Sequence, residues 1–361
     1  MKIGVLGAGQ LGRMLALAGV PLGLQFRFYD PAPDSPASEI AEQVVANYND
    51  WDALTRFAEG LDVITYEFEN IPVETVTFLE QFASMFPPLD ALRASQDRLT
   101  EKRTLLTLGI PTPHFDAVES WTELEETALR IGLPAVLKTR RFGYDGKGQA
   151  VLRTQEDLQG AWQTLGGSPL ILEGFISFER ELSLIGVRGR DSDTRFYPLV
   201  ENHHREGILR LTVAPAPNVT AELQTQAERH LNTLMQTLNY VGVLTLEFFE
   251  QNGRLIANEM APRVHNSGHW TIEGAETSQF ENHLRAIGGF PLGSIRPRNA
   301  SLMYNCIGEM PERDVVLAVP GAHLHDYGKL PRPKRKVGHL TLCGFPEELE
   351  RHRTTVEELI T

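Results

Sequence analysis

The chain has 361 residues, 42% of them hydrophobic, and a formal net charge of −13. Such a length predicts two or three domains around a sizeable core, and the acidic balance argues against a nucleic-acid surface, so any phosphate site must be a local cluster of Lys, Arg and backbone N–H groups. No apolar run of about 18 residues is present, which predicts no membrane span, and the isolated cysteines, Cys306 and Cys343, fit a reducing cytoplasm without a disulfide framework.

Residues 2–6 read as a short apolar strand. Gly7-Ala8-Gly9-Gln10-Leu11-Gly12 fills the G-x-G-x-x-G template, and 13–17 opens a helix. Arg13 and the glycines mark this start as strand–turn–helix and not a secretion leader. A second strand, 25–29, ends at Asp30, near the position where a dinucleotide fold carries its ribose-binding acid. Three readings of the loop stay open: a dinucleotide site, a phosphate site for another ligand, or close packing of strand on helix. Residues 61–66 read as a third strand with Glu67, Glu69 and Asn70 at its end, where ligands collect in open α/β sheets. Residues 91–108 read as one helix stopped by Gly109. The first domain is therefore expected over 1–108.

A second domain is expected over 109–292. It opens with a strand near 114–118. Ser120-Trp121-Thr122-Glu123 is a capping box starting a helix to 131. The strand 134–139 carries Lys138. Next comes Arg140-Arg141-Phe142-Gly143-Tyr144-Asp145-Gly146-Lys147-Gly148-Gln149, then a strand 150–153. A hairpin loop with three glycines and a lysine can lay N–H groups over phosphates and move as a lid, although it is not a P-loop. A helix over 155–165 precedes a buried strand, 170–172, ending in Glu173-Gly174-Phe175-Ile176. Residues 181–186, 195–201 and 208–213 read as antiparallel strands, with His203 and His204 in a turn. Thr220 caps a long helix to 238.

The stretch 244–270 then organises the rest. Two alternating runs flank Gln251-Asn252-Gly253, a strong hairpin signal, and carry Glu247 and Glu259. A two-residue Asn252-Gly253 turn pairs Glu247 with Asn258 and sends Glu259 to the other face. A three-residue loop with Gly253 left-handed pairs 250 with 254 and puts both acids on one face. The second arrangement is expected. Two carboxylates about 4 Å apart repel by roughly 4 kcal/mol at an effective dielectric near 20, so they need a proton or a cation. Mg²⁺ takes one or two carboxylates and completes its shell with substrate phosphate oxygens. Arg263, His265, Asn266, Ser267 and His269 follow at once, a set suited to a small oxyanion such as carboxylate, bicarbonate or phosphate. A helix over 277–287 and a linker over 291–297 lead to a last segment, 293–361, of short strands and a final helix. Its run Arg332-Pro333-Lys334-Arg335-Lys336 is a stiff basic turn able to clamp a phosphate.

Taken together these motifs resemble the ATP-grasp superfamily and, within it, the N5-carboxyaminoimidazole ribonucleotide synthase family, biotin-independent carboxylases of bacterial purine synthesis. The resemblance is carried by GAGQLGRM at 7–14, LKTRRFGYDGKGQ at 137–149, ILEGFI at 171–176, ERELSLIGVRG at 179–189 and FYPLVENHHREGIL at 196–209. It continues through YVGVLTLEFF at 240–249, ANEMAPRVHNSGHWT at 257–271 and KRKVGHL at 334–340. It implies a mixed α/β and α+β chain: an N-terminal Rossmann-like parallel-sheet domain, an ATP-grasp fold and a small C-terminal β-rich domain.

The resemblance also implies residue roles. Arg98 and Lys138 would contact ATP phosphates under a lid of Gly143, Tyr144, Asp145, Gly146, Lys147 and Gly148. Glu173, Gly174, Phe175 and Ile176 would hold the adenine edge. Glu181 would bind the ribose, with His204 near the nucleotide. Glu247 and Glu259 would hold Mg²⁺ (Mn²⁺ as the other candidate), with Asn258 beside them. Arg263, His265 and Asn266 would hold bicarbonate and the intermediate, His265 being the candidate proton acceptor. Lys334, Arg335 and Lys336, with the loop Gly9, Gln10 and Leu11, would meet the phosphate of aminoimidazole ribonucleotide, so that the glycine loop serves a mononucleotide phosphate, and Glu67 would bind the same substrate. A cytoplasmic homodimer acting on small molecules is implied, with no nucleic acid or membrane partner. Competing readings are another ligase of the same superfamily, such as a formate-using ribonucleotide transformylase or an amino-acid ligase, a nicotinamide-dependent oxidoreductase built on the glycine loop, and a non-catalytic nucleotide sensor.

Overall fold

The computed structural model describes residues 1–143 and 146–360. The lid residues Tyr144 and Asp145 lie outside the described residues.

Five parallel strands open the chain, in the order Glu42–Val44, Gln25–Tyr29, Lys2–Leu6, Val63–Tyr66, Ser84–Met85. All of Val63–Tyr66 is buried, as a strand covered on both faces must be. The connections run outward in opposite directions from Lys2–Leu6 and its neighbour Val63–Tyr66. The loops leaving their carboxyl ends, at Gly7 and at Glu67, therefore meet at the crevice where such sheets bind ligands. The Glu42–Val44 strand has no sequence signal: it is three residues long and nowhere fully buried.

Residues 91–108 form two helices, Leu89–Ser95 and Arg98–Thr107, not one. Asp97 is the cause. Its Oδ1 accepts the N–H groups of Leu99 and Thr100 at 3.0 and 3.2 Å, an N-cap that starts a second helix. The restart aims Arg98, Glu101 and Lys102 at the central hairpin, with Glu101 and Lys102 fully buried.

A four-stranded antiparallel sheet follows, in the order Phe115–Val118, Leu170–Gly174, Ala135–Thr139, Gln149–Leu152. Helices Trp121–Ile131 and Glu156–Leu165 bury Leu124, Ala128, Leu158 and Ala161 against it.

The largest sheet has nine antiparallel strands. Arg254–Ala261 forms one edge, followed by Gly242–Gln251, Arg180–Arg188, Val200–Arg205, Ile208–Ala214, Ala300–Ile307, Lys336–Gly344 and Ala322–Asp326; Thr194–Phe196 pairs with Arg180–Arg188 off this path. The C-terminal strands thus extend the central sheet. His203 and His204 lie in a strand and not in a turn. The turn is Glu206-Gly207, both at positive φ, and a register shift falls between the two histidines. The expected 195–201 strand is divided around Pro198, which has no N–H for a ladder.

Apolar residues from the parallel sheet (Val5, Phe28), the central sheet (Val187, Val243) and the helix Gln279–Gly288 (Phe280, Leu284) share one core. That shared core fixes the N-terminal crevice against the central hairpin. Among the described residues no helix is long and apolar enough to cross a membrane.

Candidate active site

The hairpin differs from the expected one. Gln251 pairs with Arg254, so the loop is Asn252-Gly253 alone, with φ of 51° and 70°. Taken alone, that turn would place Glu259 on the wrong face. The ladder corrects the phase. Phe248 pairs with Ala257 but Leu246 pairs with Met260, so Asn258 and Glu259 together oppose Glu247. This β-bulge absorbs one residue and returns Glu259 to the face of Glu247. Both carboxylates line one cleft of about 970 Å³.

Each acid has a cationic or polar companion. Arg98 Nη1 stands 2.7 Å from Glu259 Oε2, and its Nη2 donates to the Gly143 carbonyl at 3.2 Å. His265 Nε2 is 3.3 Å from Glu247 Oε1. Burial and the adjacent Glu259 push the Glu247 pKa up. Burial acts the same way on Glu259, but Arg98 outweighs it and holds that carboxyl well below the usual range. Among the described residues no group of three or more His, Cys, Asp and Glu side chains is gathered as a metal cage. Two repelling carboxylates fit a hard ion that finishes its shell with phosphate oxygens and water. Asn258, next to Glu259 in the chain, has its Oδ1 buried with no hydrogen-bond partner among the described residues.

The oxyanion loop is braced from outside itself. Glu69 grips Arg263 at two points, Nε to Oε2 at 2.5 Å and Nη2 to Oε1 at 3.1 Å. Burial opposes charge on Glu69, yet Arg263 holds its pKa below the ordinary value. Gln279 accepts the His265 N–H at 2.9 Å and donates to the His265 carbonyl at 2.6 Å. The Asn266 amide pairs with the Asn305 amide at 2.7 and 3.0 Å. His265 Nδ1 lies 2.8 Å from Ser267 Oγ, so both ring nitrogens have neighbours, and burial with Arg263 pushes its pKa down to about 3. The ring is neutral and weakly basic. Gln279 and Asn305 are remote in sequence, and their role has no sequence signal.

On the nucleotide side, Glu173 is held by Lys138 at 3.0 Å and Lys102 at 3.3 Å. Burial would raise its pKa, but the two lysines bring it down to about 2. The N–H groups of Gly174 and Phe175 donate to the carbonyls of His114 and Pro134. Glu181 Oε2 lies 3.0 Å from His204 Nδ1. Burial lowers the His204 pKa, Glu181 and Glu247 raise it, and the net shift is upward. Arg98, Gly143, Gly146, Lys147 and His204 line the cleft; Lys138, Gly148, residues 173–176, Glu181 and Asn258 lie outside its lining. Gly148 sits at φ +70° with the Thr139 hydroxyl where a Cβ would be, and Gly146 packs on the Glu206 carbonyl.

At the other end the glycine loop is held by two of the chain's own carboxylates. Glu67 Oε1 accepts the Gly9 N–H at 2.5 Å and Oε2 the Gly12 N–H at 2.6 Å. Asp30 accepts the N–H groups of Ala8 and Ala32 at 2.9 and 2.8 Å. The chain's own acids thus take the N–H groups of Ala8, Gly9 and Gly12, which closes the turn, while those of Gln10 and Leu11 are not among the groups they hold. Gln10 and Leu11 still line the cleft, as do Lys334, Arg335 and Lys336. Lys329 and Arg332 join them, and Lys329 Nζ hydrogen-bonds Gln10 Oε1. Lys329 stands alone in sequence outside the basic run, which is why charge clustering misses it.

The chain matches three domain descriptions in order: ribonucleotide synthetase preATP-grasp domain over 1–96, ATP-grasp domain over 103–280, and phosphoribosylaminoimidazole carboxylase C-terminal domain over 301–351. It is 55% identical over 361 residues to the N5-carboxyaminoimidazole ribonucleotide synthase of Pseudomonas aeruginosa, covering 100% of this chain and 99% of that one. It is similar to the crystal structure of N5-carboxyaminoimidazole ribonucleotide synthetase from Thermus thermophilus, with TM-score 0.96, 56% identity, and 99% and 98% of the two chains covered. It is also similar to the enzyme from Aspergillus clavatus crystallised with ADP and 5-aminoimidazole ribonucleotide, with TM-score 0.93, 31% identity, and 99% and 98% covered. With one cleft joining the acid pair, the oxyanion loop and the basic cluster, and relatives of this identity over its whole length, the chain belongs to the N5-carboxyaminoimidazole ribonucleotide synthase family of ATP-grasp enzymes.

Proposed function

We propose that this protein is an ATP-dependent ligase that carboxylates 5-aminoimidazole ribonucleotide with bicarbonate, giving N5-carboxyaminoimidazole ribonucleotide, ADP and phosphate. The observation that carries this reading is the continuity of one cleft from Arg98 and Lys147, past Glu247, Glu259 and Arg263, to Lys336. Residues 1–108 with 293–361 would supply the acceptor end, and 109–292, with Arg98 reaching over from the first domain, the nucleotide end.

Bicarbonate is a poor electrophile. Attack of one of its oxygens on the γ-phosphorus of ATP forms the new P–O bond and releases ADP. The resulting carboxyphosphate carries phosphate as a good leaving group. The exocyclic amine of the ribonucleotide then attacks the carboxyl carbon, phosphate departs, and the amine gives up a proton. The protein's work is positioning and charge stabilisation. Arg98 and Lys138 would draw the nucleotide phosphates, Glu173 to Ile176 would hold the adenine edge, and Glu181 the ribose. Arg263, fixed in orientation by Glu69, would hold bicarbonate with Asn266. The neutral His265 would orient Glu247 and lie beside the oxyanion. Lys334, Arg335, Lys336 and Lys329 would take the ribonucleotide phosphate beside Gln10. The lid with Gly143, Gly146 and Lys147 would exclude water, which matters for a hydrolysable intermediate. Glu247 and Glu259 would hold Mg²⁺, which when bound neutralises charge on the phosphates. The assembly proposed is a cytoplasmic homodimer, read in sedimentation as twice the chain mass.

The test is phosphate release from ATP with bicarbonate or with formate, each with and without 5-aminoimidazole ribonucleotide. Bicarbonate together with the ribonucleotide should give the fast rate. Stimulation by formate in place of bicarbonate would transfer the reading to a transformylase.

A further inference from the structure

The acid pair depends on where the hairpin takes up its extra residue. The Asn252-Gly253 turn sets a register in which Glu247 would face Asn258, and the shift occurs at Asn258–Glu259. Were the extra residue absorbed farther from the turn, at 260–261, Glu259 would pair with Leu246 and leave the cleft face. The apolar pattern of the hairpin favours a shift between 257 and 260, because Leu255, Ala257 and Met260 share one core with Leu246 and Phe248.

The Arg98–Thr107 helix holds it there from outside the hairpin. Arg254–Ala261 is an edge strand, so its outer rim needs partners from elsewhere. Lys102 Nζ donates to the Asn258 carbonyl at 2.5 Å. Arg98 Nη1 meets the Glu259 carboxylate at 2.7 Å. Glu101 Oε1 accepts the Met260 N–H at 2.5 Å. Three consecutive residues around the bulge are thus held by positions i, i+3 and i+4 of one helix, which share a face. Glu101 and Lys102 are 2% and 0% exposed, a costly placement for charged groups unless their bonds are specific. Lys102 also touches Glu173 at 3.3 Å, so the same helix ties the bulge to the adenine side.

We propose that Glu101 and Lys102 are positioning residues that lock the β-bulge at Asn258–Glu259 and thereby set Glu247 and Glu259 as a divalent-cation pair. The inference rests on the Mg²⁺ reading above. Glu101 acts through the Met260 amide, so its hydrogen-bond acceptor is the required feature. Lys102 acts through the Asn258 carbonyl.

The test is calorimetric ADP binding to the full chain, once with Mg²⁺ and once with EDTA. In the unmodified protein Mg²⁺ strengthens ADP binding, and E247Q removes that gain; if either result fails, the metal reading itself fails. With both in hand, E101M should lose about tenfold or more of the Mg²⁺-dependent gain, in the range seen when groups supporting metal ligands are removed. Its ADP affinity in EDTA should stay within about twofold. E101Q, which keeps the acceptor, should retain the gain. Loss in E101Q equal to that in E101M would make Glu101 a charged ligand and overturn the positioning role, as would a folded E101M with the full gain. Should E101M not fold, E101Q and K102M, which has no donor for the Asn258 carbonyl, decide: the proposal requires retention in the first and loss in the second, and any other pairing overturns it.

Discussion

Glu67 Oε1 accepts the amide of Gly9 at 2.5 Å, and a Cβ on Gly9 would fall 2.5 Å from that same oxygen. The carboxylate and the glycine turn therefore fit only each other. Gly9→Ala should push Glu67 out of place and disturb the neighbouring Gln10. The KM for the ribonucleotide should rise about tenfold while the KM for ATP stays within about twofold. Steady-state kinetics with each substrate varied checks this. An unchanged ribonucleotide KM would remove the loop from the acceptor site.

The basic cluster should divide by anchoring. Lys336 and Lys334 both line the cleft, but the Lys334 side chain is 66% exposed and spans 2.9 Å to Glu206. Exposed pairs of that kind contribute little. Lys336→Ala should raise the ribonucleotide KM by roughly 10- to 100-fold with little change for ATP, and Lys334→Ala by a few-fold only. Equal effects would contradict the assignment.

Glu247→Gln keeps the shape of the side chain and removes half of the acid pair. Phosphate release should fall by about 10³-fold or more with saturating substrates, while ADP still binds in EDTA. Near-normal release would show that the pair holds no cation needed for phosphoryl transfer.

His283 ties the parallel sheet to the central hairpin. Val243 N–H donates to its Nδ1 at 3.1 Å, so Nε2 carries the hydrogen and faces Thr65 Oγ1 at 3.0 Å. Burial keeps the ring neutral, with its pKa lowered to about 3 from 6.5. The folded-state value is depressed, so below pH 6.5 the unfolded chain binds a proton that the native chain does not. This contribution is complete above pH 6.5 and is lost as pH falls toward about 3. The rate is at most about 1.4 kcal/mol per pH unit. Melting temperatures from pH 7 down to pH 5 should drop less steeply for His283→Asn than for the native chain. Parallel curves would contradict the locked-neutral ring.

Much of this was legible in residues alone. Alternation and turn chemistry give most strands, and Ser120 and Thr220 cap helices as their types require. The exceptions have physical causes. Asp97 sits inside a continuous helical pattern, and only its capping bonds reveal the break. Glu206-Gly207 at the turn puts His203 and His204 into a strand. The hairpin was the instructive case. The acids do share a face, but through a bulge held by a distant helix and not through a longer loop. The glycine fingerprint is met in full, yet Glu67 and Asp30 take three of its N–H groups, those of Ala8, Gly9 and Gly12. A local motif cannot show which distant side chain satisfies it.

The central claim is that bicarbonate is activated by phosphoryl transfer inside this cleft. Supplying ¹⁸O-labelled bicarbonate with ATP and 5-aminoimidazole ribonucleotide tests it through the phosphorus resonance of the released phosphate. Carboxyphosphate formation predicts one ¹⁸O from bicarbonate in each phosphate, because the bridging oxygen leaves with phosphorus. Phosphate with no label, formed at the full rate of carboxylation, would contradict the account.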